Sequence, residues 1–99
     1  MTVYVDDMRR RARVGRTVAR WSHLVADHPD ELAAFAARLG LRPEWLQDAG
    51  KPSEHYDVTD SIRCRALELG AVPMSYLTEM GQFIAAKRQN ANTDKENGR

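Results

Sequence analysis

The sequence predicts an α/β fold: a small three-stranded, largely parallel sheet flanked by about three helices. Three observations carry that prediction. Thr2-Val3-Tyr4-Val5 is a β-type run near the start, and Trp21, His23 and Val25 alternate with Ser22, Leu24 and Ala26. Between later breakers, Leu32, Phe35, Ala36 and Leu39 repeat at helical spacing and stop at Gly40. The third is a loop–helix–strand stretch from Glu54 to Tyr76, whose polar opening, His55-Tyr56-Asp57, stands at the entrance to a helix with one apolar stripe.

Taken in order, the first strand runs over residues 2–6 and ends on Asp6-Asp7. Met8 to Gly15 reads as an arginine-rich connection. A second, fairly buried strand covers 18–26, with Trp21, His23 and Val25 on one face. Asp27-His28-Pro29-Asp30-Glu31 is a helix start, with a short polar cap, proline in the first turn and acids at the positive helix end, so the first helix spans 29–39. Pro43 to Gln47 makes one more helical turn, and Asp48 to Ser53 is a loop. Asp57 or Thr59 caps a second helix over 59–69, with Ile62, Ala66 and Leu69 inward, and Gly70 closes it. Ala71 to Tyr76 is a third strand, and Pro73 makes it an edge strand or a short one. A last helix spans 77–88, with Leu77, Met80, Gly81 and Ile84 on one face. Residues 1–88 form one globular domain, and 89–99 read as a disordered polar tail. The expected core is Val3, Val5, Leu24, Leu32, Phe35, Leu39, Ile62, Ala66, Leu69 and Val72.

Ninety-nine residues with 42% apolar content support a single modest core. No apolar run is long enough to span a bilayer, and no signal peptide is evident, which sets aside membrane partners. The single cysteine, Cys64, cannot form an internal disulfide and reads as a half-buried filler, in keeping with a reducing, cytoplasmic setting. Net charge is +1, but residues 1–20 carry six arginines against Asp6 and Asp7. Arginine grips phosphate and carboxylate bidentately.

Candidate chemistry gathers at the polar opening. His55 and Asp57 are the candidate acid/base or metal-binding pair, with Asp6 and His23 in support; the alternative is that Asp57 and His55 only cap the helix and hold the preceding loop. Tyr56, Asp27, Arg16 and Arg63 are candidate binding groups, the arginines for an anion. If the strands are parallel, Asp27, His28, His55, Tyr56 and Asp57 share the sheet edge where open α/β sheets bind ligands. Asp6 and Asp7 join them unless Met8 to Gly15 makes a hairpin, which is too short for a crossover. There is no His-x3-His spacing, glycine-rich phosphate loop or nucleophile elbow. Cofactor and metal identity are therefore open. One function reading is a polar, anion-binding site with hydrolytic or phosphate-handling chemistry. The alternative is a non-catalytic module that contacts a partner protein or nucleic acid through Arg9 to Arg20, with a homodimer also compatible. The two separate on whether Asp6, His23, His55 and Asp57 converge within about 8 Å.

The string Val3 to Asp6, Trp21 to Asp27, Glu31 to Leu41, His55 to Thr59 and Ala66 to Ala71 resembles the family catalogued as domain of unknown function 4031. The resemblance covers roughly residues 1–78. It implies small proteins of bacteria, notably actinobacteria, and of their phages, and carries no activity. One departure is Leu46, where the resemblance leads one to expect an aromatic after Trp45.

Overall fold

The computed structural model describes the backbone of residues 2–96 and the side chains of 2–90. The elements run β1 (Val3–Asp6), β2 (Arg10–Val14), β3 (Thr17–Ala26), α1 (Pro29–Arg38), β4 (Tyr56–Thr59), α2 (Asp60–Glu68), β5 (Val72–Met74) and α3 (Gly81–Glu96). A 3-10 turn at Pro43–Trp45 and a π turn at Tyr76–Met80 complete them. The fold is mixed α/β, as the sequence predicts, but the sheet has five strands and is mostly antiparallel.

The longest strand, β3, organises the rest. Its first half pairs with β2, from Val14↔Thr17 to Arg10↔Trp21, and its second half with β1, from Val5↔Leu24 to Val3↔Ala26. Trp21 also pairs with Thr59, and Leu24 with Tyr56, so β4 lies on the opposite edge of β3. Only β5 is parallel to its neighbour, β1. The segment expected to be a connector is therefore half of a hairpin. Gly15, at φ +61, and Arg16 form a two-residue loop, and glycine at its first position suits the type II′ turn that matches strand twist.

Between β1 and β2 the register slips: residues 6–9 stand opposite only Ser22 and His23. This bulge is built around Asp6. Its Oδ1 accepts from the backbone N–H of His23 at 2.8 Å and of Met8 at 3.3 Å. Arg9 takes a left-handed φ of +47, and its N–H donates to Ser22 Oγ at 3.0 Å. Its guanidinium grips Asp60 bidentately, at 3.1 and 2.9 Å, tying the bulge to the start of α2. Bulges redirect side chains, and this one turns a buried carboxylate toward β3.

The two sheet faces bury different sets. One holds Val5, Leu24, Ala26, Tyr56 and Val58 under Leu32, Phe35 and Ala36 of α1, Leu39 just beyond it, and Ala66 of α2. The other holds Val25 and Met74 with Met80, against Tyr4, Phe83 and Ile84. The alternation read along β3 thus holds, with Leu24 and Ala26 facing one core and Val25 the other. Val72 is a correction: it lies on the edge strand, 42% exposed, and Met74 supplies the burial there. Leu77 is another, at 89% exposed. The π turn, closed by the Met80 N–H to Ser75 O bond, changes the angular step, so Met80 and Ile84 face in without Leu77. Cys64 is exposed rather than half-buried.

Thr59 caps α2 by accepting from the Ile62 N–H at 3.4 Å. Helix α3 continues to Glu96, beyond the expected end near residue 88. The remainder of the segment read as a tail, residues 97–99, lies outside the described residues. Among the described residues, no helix is long and apolar enough to cross a membrane.

Candidate functional site

His55-Tyr56-Asp57, expected as the mouth of a helix, leads into the edge strand β4 instead: Tyr56 begins the strand, and His55 just ahead of it bridges to Gln47. The alternation is that of a strand: Tyr56 and Val58 are buried in the main core, and His55 and Asp57 take the other face. Asp57 registers against His23 of β3, and Asp6 of β1 lies on the far side of His23. Three neighbouring strands thus place Asp6, His23 and Asp57 in a row, with His55 above.

Each histidine is fixed through the same ring atom. His23 Nδ1 donates to Asp6 Oδ2 at 2.7 Å, since an ionised carboxylate only accepts. Asp6 is fully buried, so this bond and its two backbone donors are what hold its charge inside the protein. His55 Nδ1 donates to the Ser53 carbonyl at 2.7 Å. With Nδ1 protonated, the lone pair of each neutral ring sits on Nε2. His55 Nε2 is 3.4 Å from Asp57 Oδ1, and the other Asp57 oxygen accepts from Gln47 Nε2. One ligand atom each from His23, His55 and Asp57 lie within 4.8 Å of one another.

The rings also meet. His55 stands edge-on to His23 with centroids 5.0 Å apart, and Tyr76 stacks on His23 at 5.6 Å. Tyr76 is held by its N–H, which donates to Asp7 Oδ1 at 2.8 Å. His23, His55 and Tyr76 line a cavity of about 200 Å³ walled by Val25, Met80 and Ile84. On its other side Asp57 opens onto a larger cavity, about 680 Å³, with Trp21, Trp45, Gln47 and Thr59 in its wall. The cluster therefore sits between two recesses.

The His55–Asp57 pair shifts both groups. The Asp57 hydrogen bond raises the His55 pKa above its ordinary 6.5, against burial, which lowers it. The same bond holds Asp57 below its ordinary 3.8, again against burial. In metal-free protein, the raised His55 contributes stability that is complete below pH 6.5 and lost as pH rises through its folded value. The lowered Asp57 contributes stability present above 3.8 and lost as pH falls through its own folded value. The melting-temperature gap between wild type and His55→Gln should thus be widest near pH 5–6 and shrink toward pH 8. Both side chains are partly exposed, so the gap corresponds to about 1 kcal/mol or less.

Several expected site residues fall elsewhere. Tyr56 is buried in the main core, facing away from His55. Asp27 lies four residues past His23, just beyond the end of β3, where its carboxylate accepts from the Thr2 N–H, at the opposite end of β1 from Asp6. His28 goes with it, as the N-cap of α1 without a side-chain cap bond. The antiparallel hairpin is the cause, because it separates the ends that a parallel sheet would have joined. Arg16 sits in the hairpin turn, and Arg63 reaches Asp6 from α2, its Nε donating to the Asp6 carbonyl at 2.8 Å. Sequence reasoning missed Tyr76, Gln47 and Ser53. They reach the cluster through loops and the π turn, which no local pattern joins to β3.

No curated protein and no solved structure matches the chain. A family model does match over residues 3–87, further along the chain than the motifs alone reach, into α3. The chain belongs to the family described as Protein of unknown function (DUF4031).

Proposed function

We propose that this protein binds a divalent transition-metal ion through His23 Nε2, His55 Nε2 and Asp57, and uses it in hydrolytic, phosphate-handling chemistry. The convergence of the three ligand atoms within 4.8 Å carries the reading. Supporting it, both imidazoles are tied through Nδ1, one to a buried carboxylate and one to a backbone carbonyl. That arrangement recurs behind metal-ligating histidines, where it fixes the tautomer and strengthens the donor. Two imidazoles and a carboxylate suit zinc, iron(II), manganese or cobalt, and three protein ligands leave positions for water and substrate. A metal held there would lower the pKa of its water toward neutrality and draw an anionic substrate. Asp6 acts through His23 as a positioning residue.

Zinc and manganese titrated into chelator-treated protein should raise the melting temperature and saturate at one equivalent. At a free metal concentration 100-fold above Kd the stabilisation is about 2.7 kcal/mol, or roughly 10–20 °C for a domain of this size. His55→Ala and Asp57→Asn should abolish the shift while the metal-free variants stay folded. No shift with either metal, or an equal shift in both variants, would overturn the site. Metal-dependent hydrolysis of bis(p-nitrophenyl) phosphate tests the chemistry. Metal binding without turnover would remove the hydrolytic part and leave the ion site.

A further inference from the structure

The β2–β3 hairpin is an arm of unusual charge. From Met8 to Ala26 there is no acidic residue, and Arg10, Arg11, Arg13, Arg16 and Arg20 project from it. All five residues of β2 are exposed, as are Thr17, Val18 and Arg20 on β3. Among the described residues, Arg9 is the one arginine of this segment paired with a carboxylate, and it belongs to the bulge. Arg10, Arg11, Arg13 and Arg16 have no acidic partner there. Neighbouring acids therefore do not neutralise these four arginines among the described residues.

Arg11 stands directly across from Arg20 in the ladder. Like charges in opposed positions destabilise a strand pair, so the bare arm carries a cost that an anionic partner would remove. The register also distributes the charge. Arg11, Arg13 and Arg20 share one face of the ribbon, Arg10 takes the other, and Arg16 crowns the turn. A flat anionic bilayer meets one face of a ribbon. The major groove of a duplex flanks a two-stranded ribbon with phosphates on both sides, and its width admits one.

We propose that the β2–β3 hairpin binds duplex nucleic acid by lying in the major groove, its arginines on the flanking phosphates. This does not rest on the metal site, and the test is run in chelator so that the two readings fail independently.

Fluorescence anisotropy with a labelled 20-base-pair DNA duplex should give a plot of log Kobs against log salt with a slope of about −4, one unit for each phosphate neutralised. Arg11→Gln with Arg13→Gln should flatten that slope by about 2 and weaken binding at least tenfold at low salt. Arg11→Lys with Arg13→Lys should retain most of the slope, since lysine still neutralises phosphate as a point charge. The glutamine variant should melt no lower than wild type, because it relieves the Arg11–Arg20 repulsion. A wild-type slope shallower than about −1 would overturn the proposal. So would tighter binding to a single-stranded 20-mer, or capture by phosphatidylserine vesicles without duplex binding.

Discussion

Asp6→Ala is expected to destabilise the domain by about 3 kcal/mol or more, because it orphans three hydrogen-bond donors at about 1–3 kcal/mol each. The carboxylate is fully buried and is the acceptor for the His23 ring and for two backbone N–H groups in the bulge. Alanine leaves all three donors facing protein, and each buried orphan carries its own desolvation penalty. Chemical denaturation of metal-free protein measures the loss, and a change below about 1 kcal/mol would show that water replaces the carboxylate there. Asp6→Asn separates fold from site. It keeps the shape and one acceptor oxygen but removes the charge behind His23. Its expected signature is a smaller stability loss with metal affinity down by about 10- to 100-fold, as for other carboxylates behind ligating histidines.

Phe35→Ala is expected to cost about 3–5 kcal/mol, a large share of what a domain this small possesses. Phe35 lies on α1 between Leu32 and Leu39, and all three pack on the β3–β4 face of the sheet. Its side chain is buried, and the Arg38 guanidinium carbon lies over the ring, 5.8 Å from the centroid. The loss combines lost burial with an unfilled cavity, so Phe35→Leu should recover about half of it. Thermal melts and urea titrations check both variants. Their metal affinity, measured below the transition, should remain near wild type, because the cluster sits on the opposite face of the sheet.

The sequence by itself determined the α/β class, the helix α1, the alternation along β3 and the family. Those features rest on local patterns: apolar spacing of 3.6 or 2, a proline-led helix start and glycine stops. It also singled out His55 and Asp57, with Asp6 and His23 in support, as candidate site residues. It did not determine the sheet. Met8 to Gly15 is so charged that its strand pattern is hidden, since Arg10 to Val14 are exposed on both ribbon faces and no buried side alternates with a wet one.

That hairpin makes the sheet antiparallel, and the antiparallel register selects the site. It carries Asp27 and His28 away and sets Asp6 beside His23. Pairing of β4 on the other edge then brings His55 and Asp57 to the same histidine. Thirty-four positions separate His23 from Asp57, so no local rule relates them. Tertiary pairing alone decided the convergence, because backbone hydrogen bonds between strands fix register, and register fixes which side chains meet.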